Sequence, residues 1–351
     1  MCVDSSSKQL HWEKGNIMSV LEKIFEKAKN NPQKVAFPEA MNEKMMQASY
    51  EAGKEGYIIP ILVGNGEEIK AAAKERGYDT SVFTIVDIND EEYKNKIITA
   101  FVAREDTRLK EKALGRRMQD PLYYAMAMQK VGEADVTFAG LDYTTGDVLL
   151  AGQMIIGLKE GISTISSIGL CDIPGYEGSE GSLLAVGDSG VCTNPNAEQL
   201  ADIAISACDT VQGLLDWEPR CAMVCYSTLG SGQGELIDKV KEALRIAQEK
   251  RPDLNIDGEF QLDAAIVPAV AAKKVKRESK VAGKANILIW PDLNVGNIAV
   301  KLIQQFGHAN AYGPMLQGFS SIICDCSRGA PVSEIKGNIV ISAVRAAGMK
   351  N

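Results

Sequence analysis

The chain alternates between two patterns of apolar and polar residues. Short apolar runs of about four to eight residues suit buried strands, whereas longer segments that repeat apolar residues every three or four positions suit amphipathic helices. The strand pattern covers 35–37, 58–63, 134–140 with its loop, 221–226 and 287–290, and the helix pattern covers 19–30, 43–55, 119–131, 198–215 and 235–250. Short loops with glycine and asparagine separate these segments. The alternation predicts an α/β fold of parallel-rich sheets covered by helices.

A further helix is predicted near the end of the chain, beginning around Pro331. Apolar residues recur at four-residue spacing in two rows: Ile335, Ile339 and Ala343, and Val340 with Val344. Proline suits the first helical position, because the N–H that it lacks would have no partner there.

The turn before that helix carries residues that suit an anion. Ser327 offers a hydroxyl, Arg328 a guanidinium and Gly329 a flexible backbone. A planar guanidinium can donate two parallel hydrogen bonds to a phosphate, and the free amides at the start of the helix would face the same point. An ordinary capping turn is the alternative interpretation.

Two other polar loops follow predicted strands, at the carboxyl ends where open α/β sheets place ligands. One contains Asp292, Asn294 and Asn297, and the other is rich in glycine and begins with Ser227 and Thr228. Glycine-rich loops between a strand and a helix commonly approach phosphates, although a mobile surface turn has the same composition. Asp292 could equally cap the next helix.

Composition limits the class of protein. A chain of 351 residues with 45% hydrophobic content can bury a large core, and its length indicates more than one domain. The net charge of −8 implies no basic face and argues against nucleic acid or an anionic membrane as a general partner. No apolar run approaches the roughly 20 residues that span a bilayer, and the start of the chain lacks a secretory signal. Residues 1–17 are interpreted as an extension of unknown role.

Cysteine and histidine usage favours neither a metal site nor a hydrolytic triad. The eight cysteines include two close pairs in strand-like runs, Cys221 with Cys225 and Cys324 with Cys326. No CxxC pair or histidine cluster accompanies them, so we expect buried reduced thiols, no bound metal and a cytoplasmic location. One of the two histidines lies in the N-terminal extension, and the other, His308, is expected at a helix end or on the surface.

Several stretches, read in order along the chain, carry a resemblance to one family. They are 34–40 (KVAFPEA), 61–65, 132–135 (GEAD), 194–204, 257–265, 281–297 and 313–329. Together they resemble phosphate acetyltransferases, which move an acyl group between coenzyme A and phosphate. The resemblance spans about residues 18 to 351 and is strongest after residue 255.

The resemblance implies a domain organisation and a set of partners. A first α/β domain would comprise residues 18–160 and 317–351, and a second would comprise residues 161–316. The active-site cleft would lie between these two lobes, and two copies of the chain would form a homodimer. Coenzyme A, acyl phosphate and inorganic phosphate would be substrates, with no cofactor and with no nucleic acid or membrane as a partner.

The resemblance also implies the catalytic residues. Ser327 and Arg328 would polarise the acyl phosphate and stabilise developing charge, and Glu334 stands where the family has an aspartate that takes the thiol proton. A carboxylate base suits a thiol of pKa near 8.5. Glutamate extends the side chain by on the order of 1.5 Å, and a misplacement of about 1 Å can cost around a hundredfold in rate. We expect direct attack by the thiolate of coenzyme A, with an acyl-enzyme on Cys326 as the alternative.

Ten further residues are expected to bind substrate. They are Thr144, Ser227, Thr228, Asp292, Asn294, Asn297, Tyr312, Gly313, Gln317 and Gly318.

Besides Glu334, the chain departs from the family pattern at three further places. Leu149 occupies the position of an arginine associated with coenzyme A or phosphate, and a second family arginine has only Arg104 or Arg108 as a counterpart. Ser166 and Ser167 match a serine pair but lack the aromatic residues that normally follow. These departures leave three alternatives open: weaker binding of coenzyme A or phosphate, a different acyl group, or a different acceptor.

Acetyl transfer is the default interpretation, and three alternatives remain open. The same chemistry could act on propionyl or butyryl groups. A degenerate relative could bind acyl phosphate or coenzyme A without turning it over. A decarboxylating dehydrogenase has a related two-lobed architecture, but it would need a nicotinamide site and a cluster of metal-binding aspartates, and neither is evident in the sequence.

Overall fold

The structure is a computed structural model, and it describes residues 20–107 and 109–349. Within these ranges no helix has both the length and the apolar character needed to cross a bilayer. The extension 1–17, and with it Cys2 and His11, lies outside the described residues, as does Arg108.

Strands and helices alternate along most of the chain. The strands are β1 Gln33–Phe37, β2 Ile58–Gly64, β3 Thr84–Asp87, β4 Val136–Ala139, β5 Ser166–Asp172, β6 Leu183–Gly187, β7 Arg220–Val224, β8 Asn255–Phe260, β9 Ile287–Ile289, β10 Asn310–Gln317 and β11 Ile322–Asp325. The helices are α1 Val20–Asn30, α2 Glu43–Lys54, α3 Gly66–Glu75, α4 Glu91–Val102, α5 Glu111–Arg117, α6 Pro121–Lys130, α7 Thr145–Ile155, α8 Ala197–Leu215, α9 Glu235–Lys250, α10 Leu262–Ile266, α11 Pro268–Lys274, α12 Leu293–Gly307 and α13 Val332–Gly348.

Short polar side chains fix where many of these helices begin. Asn65 accepts hydrogen bonds from the first amides of α3, and Asp90 does the same for α4. At α8 the caps are reciprocal, because Asn196 accepts from the Gln199 amide while the Gln199 side chain accepts from the Asn196 amide. Such caps satisfy backbone donors that have no partner within the helix.

The eleven strands of the described residues form one sheet in the order β3-β2-β1-β4-β11-β10-β5-β6-β9-β7-β8. The first five strands of this order are parallel to one another, and so are the last four. Between the two halves, β10 runs antiparallel to β11 and β5, and β5 runs antiparallel to β6. The halves therefore meet at β10, where the pairing register with β5 shifts between Tyr312 and Met315.

The last helix packs against both halves of the sheet. One face of α13, with Ile335 and Ile339, joins a buried cluster that includes Phe37 of β1. The other face, with Val340 and Val344, joins a cluster with residues of β5, β6 and α8. The two apolar rows predicted for this helix thus bury against different cores, which holds its N-terminus at the junction.

The α/β class is confirmed, and the predicted helices and strands are present within a few residues of their expected bounds. Pro331 lies just before α13 as its N-cap rather than at its first helical position. His308 ends α12, as predicted for a helix end. One continuous sheet with two parallel halves takes the place of the separate sheets that were expected, while the division into two lobes and the domain bounds stay predictions.

Candidate active site

The predicted anion turn connects β11 to α13. The Cys326 amide donates to the Ala139 carbonyl at 2.8 Å, and the Ala330 amide donates to the Ser327 carbonyl at 3.0 Å. These bonds fix both ends of the turn, while Ser327, Arg328 and Gly329 between them are exposed. The turn therefore presents a hydroxyl and a guanidinium to solvent at the start of a helix.

Arg328 makes no hydrogen bond or ion pair with any residue of the described ranges, although its charge is felt by two carboxyl groups. The pKa of Asp147 is lowered mainly by hydrogen bonds with Thr144, and Arg328 adds to this effect. Arg328 also opposes the rise of the Asp325 pKa, which is caused mainly by burial. The guanidinium thus lies near the start of α7 and has donors free for an anion.

Two buried carboxylates stand behind the turn. Asp325 accepts a hydrogen bond from the Thr145 hydroxyl at 2.6 Å, and burial raises its pKa to about 6. Glu39 accepts four backbone hydrogen bonds, at 2.8 to 3.0 Å, from the segment 140–143. Gly140 has a φ of +111°, and an added Cβ there would lie 2.4 Å from the Asp325 carboxylate. The loop after β4 is therefore fastened tightly under the turn.

Glu39 and Asp325 were not predicted as site residues. The available signals were weak: Glu39 follows strand β1 directly, and Asp325 precedes Ser327 by two residues. Their roles depend on contacts between segments that lie about a hundred residues or more apart in the chain.

A cavity of about 470 Å³ opens where the two halves of the sheet meet. We call it the junction cleft; it is lined by Gly169, Cys171, Ser189, Gly190, Asn297, Val300, Lys301, Gln304, Ala311, Tyr312, Gly313, Pro314, Ser327, Gly329, Ala330 and Glu334. Five residues of the predicted site are among them: Asn297, Tyr312, Gly313, Ser327 and Glu334. Arg328 is not, but it lies between two residues that are.

Close packing holds α12 against the cleft. Gly296 sits where an added Cβ would lie 2.1 Å from the Asp188 carbonyl oxygen. Asp188 is itself buried and accepts hydrogen bonds from the amides of residues 190–192 and from the Ser167 hydroxyl. This contact fixes the position of Asn297, which is the next residue of α12, and of Lys301, which lies about one turn further along.

Glu334 is the carboxylate of the cleft. It lies in the first turn of α13, it is half-buried, and its side chain has no hydrogen-bond partner in the described part of the chain. Burial raises the pKa of Glu334, which makes its carboxylate a better proton acceptor. Tyr312 lies close enough for the Glu334 charge to contribute to the raised pKa of its phenol, although burial is the main cause.

Lys301 adds a cation that the sequence reasoning missed. It lines the cleft on α12, is exposed, and has no ion pair with the residues described. The signal was its place four residues after Asn297, which puts both side chains on one face of the helix. Among the described residues that line the cleft, Lys301 is the cation and Glu334 the carboxylate, and Arg328 lies just outside the lining.

Three predicted residues are helix caps or their neighbours. The Thr144 side chain forms a reciprocal capping box with Asp147 at the start of α7, close to Arg328. Asp292 accepts from the Val295 amide at 3.1 Å, so it caps α12, which was the alternative interpretation. Asn294 is exposed in the first turn of that helix and does not line the cleft.

The structure does not bring Gln317 and Gly318 to the cleft. The Gln317 amide is buried and donates to the Ser206 carbonyl at 2.9 Å and to the Thr210 hydroxyl at 2.7 Å. Both residues line a different cavity, between β10, α8 and the end of α13.

The glycine-rich loop after β7 also stands apart from the cleft. The Ser227 hydroxyl and the Gly230 amide both donate to the buried Glu259 carboxylate, at 3.0 and 2.7 Å. The Thr228 hydroxyl accepts from the Gln261 amide at 2.9 Å. The donors that would hold a phosphate are therefore engaged by the protein itself.

The structure shows what the residues that depart from the family pattern contact. Leu149 is partly buried and packs against the core cluster around α6 and α7, and its apolar side chain offers no charge to a ligand. Arg104 is held by Asp106 through two hydrogen bonds of 2.8 and 3.0 Å. Ser167 is engaged by the buried Asp188. None of these three side chains lines the junction cleft.

The seven cysteines of the described ranges are free thiols. Cys324 and Cys326 are buried, as expected for packing residues, and burial raises the pKa of both thiols. A raised pKa disfavours the thiolate that covalent catalysis requires.

Comparison with known proteins identifies the family of the chain. A family model described as "Phosphate acetyl/butaryl transferase" matches residues 19–343. The phosphate acetyltransferase of Acetivibrio thermocellus is 39% identical over 95% of this chain and 100% of its own length. That of Clostridium acetobutylicum is 38% identical over 94% of this chain and 99% of its own length.

A solved structure extends the match to three dimensions. The crystal structure of a phosphotransacetylase from Streptococcus pyogenes superposes with a TM-score of 0.86 at 33% identity, covering 94% of this chain and 99% of that one. Since the family model and the relatives cover nearly the whole chain, the protein belongs to the phosphate acetyl/butaryl transferase family.

Proposed function

We propose that the protein is a phosphate acetyltransferase, which converts acetyl-CoA and phosphate to acetyl phosphate and coenzyme A, and the reverse. The observation that carries the proposal is the unpartnered Arg328 beside Ser327, at the edge of a cleft that also holds the half-buried Glu334. Membership of the family supplies the reaction class.

The reaction needs a thiolate, a clamp on the acyl phosphate and alignment of the two. Glu334 takes the proton from the coenzyme A thiol. The sulfur then attacks the acyl carbon, and the carbon–sulfur bond forms while the carbonyl oxygen gains negative charge. The Ser327 hydroxyl donates to this oxygen and Arg328 holds the phosphate group. The bond between the acyl carbon and the phosphate oxygen breaks, and phosphate leaves with the electron pair.

Local charge makes the site suitable for anions in an acidic protein. The chain as a whole has a net charge of −8, yet Arg328 and Lys301 flank the cleft without ion-pair partners among the described residues. We propose that Lys301 contacts the phosphates of coenzyme A, because it lies on the cleft wall formed by α12.

A direct absorbance assay of the thioester bond tests the proposal. We expect phosphate-dependent loss of the thioester, fastest with acetyl-CoA among acetyl-, propionyl- and butyryl-CoA. A preference for butyryl-CoA would assign the other activity of the family. Saturable binding of coenzyme A with no loss of any thioester would favour a binding protein without catalysis.

Cys326→Ala is expected to keep kcat/KM within about threefold of the unchanged protein, because the buried thiol of high pKa packs rather than reacts. Steady-state kinetics with both substrates varied provide the measurement. A large loss of activity, or ping-pong kinetics that disappear in the variant, would instead assign an acyl-enzyme to Cys326.

We further propose that the protein is a homodimer that uses α12. Four large apolar side chains form an exposed row along this helix, at i, i+3, i+7 and i+11: Val295, Ile298, Leu302 and Phe306. Phe306 is 79% exposed. An apolar row of this kind is typical of a covered interface, and a second copy of the chain is the occupant that the family resemblance implies.

Phe306→Glu is expected to shift the protein from dimer to monomer, because a carboxylate would be buried against an apolar partner. Gln305→Glu, at an exposed neighbouring position, is the matched control and should leave the dimer intact. Sedimentation velocity measures both. A Phe306→Glu protein that remains dimeric would place the interface elsewhere.

We also propose a cytoplasmic location, in keeping with the free thiols.

A further inference from the structure

A second cavity, of about 300 Å³, lies away from the junction cleft. It is enclosed by the end of β10, the second half of α8 and the end of α13, and it shares no lining residue with the cleft. We call it the Arg345 cavity, after the arginine of α13 that lines it together with Lys159, Asp209, Thr210, Gln317 and Ser321.

Arg345 is a buried cation that has no counter-ion among the described residues. The residue is only 7% exposed, and its Nη2 donates to the Leu316 carbonyl at 2.8 Å. Its Nη1 is buried and has no hydrogen-bond partner within residues 20–107 and 109–349. Loss of hydration lowers the pKa of Arg345 to about 10, and no carboxylate in the described part of the chain opposes that shift. An unpaired buried charge is costly, so a group that accepts from Nη1 would stabilise this region.

The rest of the cavity wall favours an anion as that group. Among its described lining residues, the ionisable side chains are two cations, Lys159 and Arg345, and one carboxylate, Asp209. Asp209 is shared, because it pairs with Lys159 at 2.9 Å and with Arg251 at 3.0 Å. The cavity therefore has an excess of positive charge, together with the hydroxyls of Thr210 and Ser321 as further hydrogen-bonding groups.

We propose that the Arg345 cavity binds a small oxyanion, either a carboxylate or a phosphate, at a site distinct from that of the substrates. One ligand oxygen accepts from Arg345 Nη1, and Lys159 at the rim balances the remaining charge. The volume suits a small organic acid or phosphate ester rather than a nucleotide cofactor such as coenzyme A.

Two elements connect this cavity to the junction cleft. In β10, Tyr312 and Gly313 line the junction cleft, whereas Leu316 and Gln317 line the Arg345 cavity. In α13, Arg345 follows Glu334 by eleven residues, which corresponds to about 16 Å of helix. A ligand at Arg345 is thus bound at the far end of the helix that carries the candidate base.

Isothermal titration calorimetry of the full chain tests the proposal, with Arg328→Ala present to weaken binding at the cleft. Inorganic phosphate and malonate are the probes, and the one that binds more tightly identifies the class of oxyanion. We expect saturable binding, and at least about tenfold weaker binding when Arg345→Met is added, because a charge-assisted hydrogen bond is lost. Arg245→Gln, which removes an exposed arginine of α9, is the matched control and should leave the affinity unchanged.

Arg345→Met removes an unpaired charge and is expected to fold. Lys159→Gln, at an exposed position, gives an independent second variant and should also weaken binding. The proposal is overturned if neither probe binds, or if the affinity is the same with and without Arg345 and Lys159. Because every comparison carries Arg328→Ala, these outcomes do not depend on whether the protein transfers acyl groups.

Discussion

Arg328→Ala is expected to lower kcat/KM for acetyl phosphate by at least about a hundredfold, since it removes a charge contact with the reacting group. The side chain is exposed and has no partner within the described ranges, so its loss should cost the fold little. Steady-state kinetics in the direction that consumes coenzyme A provide the measurement, with thermal unfolding to check that the variant is folded.

Arg328→Lys is the matched comparison, because it keeps the charge but loses the planar fork. We expect it to recover only part of the activity. Arg245→Ala, an exposed arginine of α9 that is far from the turn in sequence, should leave the kinetics unchanged. A correctly folded Arg328→Ala protein with undiminished turnover would contradict the role assigned to this residue.

Glu334→Gln is expected to lower kcat by about a hundredfold, the usual contribution of a positioned general base. Its pH dependence gives a second readout. Burial raises the pKa of Glu334 above its ordinary value of 4.5. Since the carboxylate form is the active one, activity should fall as the pH falls through this raised pKa, and the glutamine variant should lack that acidic limb.

Glu334→Asp is the conservative control, and it restores the residue type implied by the family resemblance. It should keep the acidic limb, whatever its absolute rate. If Glu334→Gln retains both the rate and the acidic limb, then another group takes the thiol proton.

The local elements of the fold could be predicted because their signals lie within a few residues of sequence. The two apolar rows of α13 predicted a helix, and the structure shows that each row meets a different core. The continuity of the sheet was not predictable in this way. It depends on β10, which pairs antiparallel with strands on both sides, and an apolar run does not reveal the direction of its partners.

For the site, the residue types of the turn 327–329 pointed to an anion, whereas the role of Glu334 came only from the family resemblance and stays a prediction. The structure brings Ser327 and Glu334 to one cleft with Asn297 and Tyr312, which arrive from another part of the chain. Gln317 faces the other way, because its amide is bound by α8. When both faces of a strand are buried, the local sequence does not show which face a polar side chain points to. That is decided by hydrogen-bond partners from distant parts of the chain.

Leu149 and Arg104 bear on how far the family's chemistry carries over. Leu149 is an uncharged, partly buried residue packed against a core cluster, and Arg104 is paired with Asp106, so neither supplies a free charge. Lys301 is a cation on the wall of the cleft, and we propose that it takes part in binding the anionic substrates.

A crystal structure with coenzyme A and inorganic phosphate bound together tests the central claim most directly, because this pair forms a complex that cannot react. We predict phosphate within hydrogen-bond distance of the Arg328 guanidinium, the Ser327 hydroxyl facing the space between the phosphate and the coenzyme A sulfur, and that sulfur about 3 Å from the Glu334 carboxylate. Phosphate and thiol bound elsewhere, with Ser327 and Arg328 facing bulk solvent, would contradict the account.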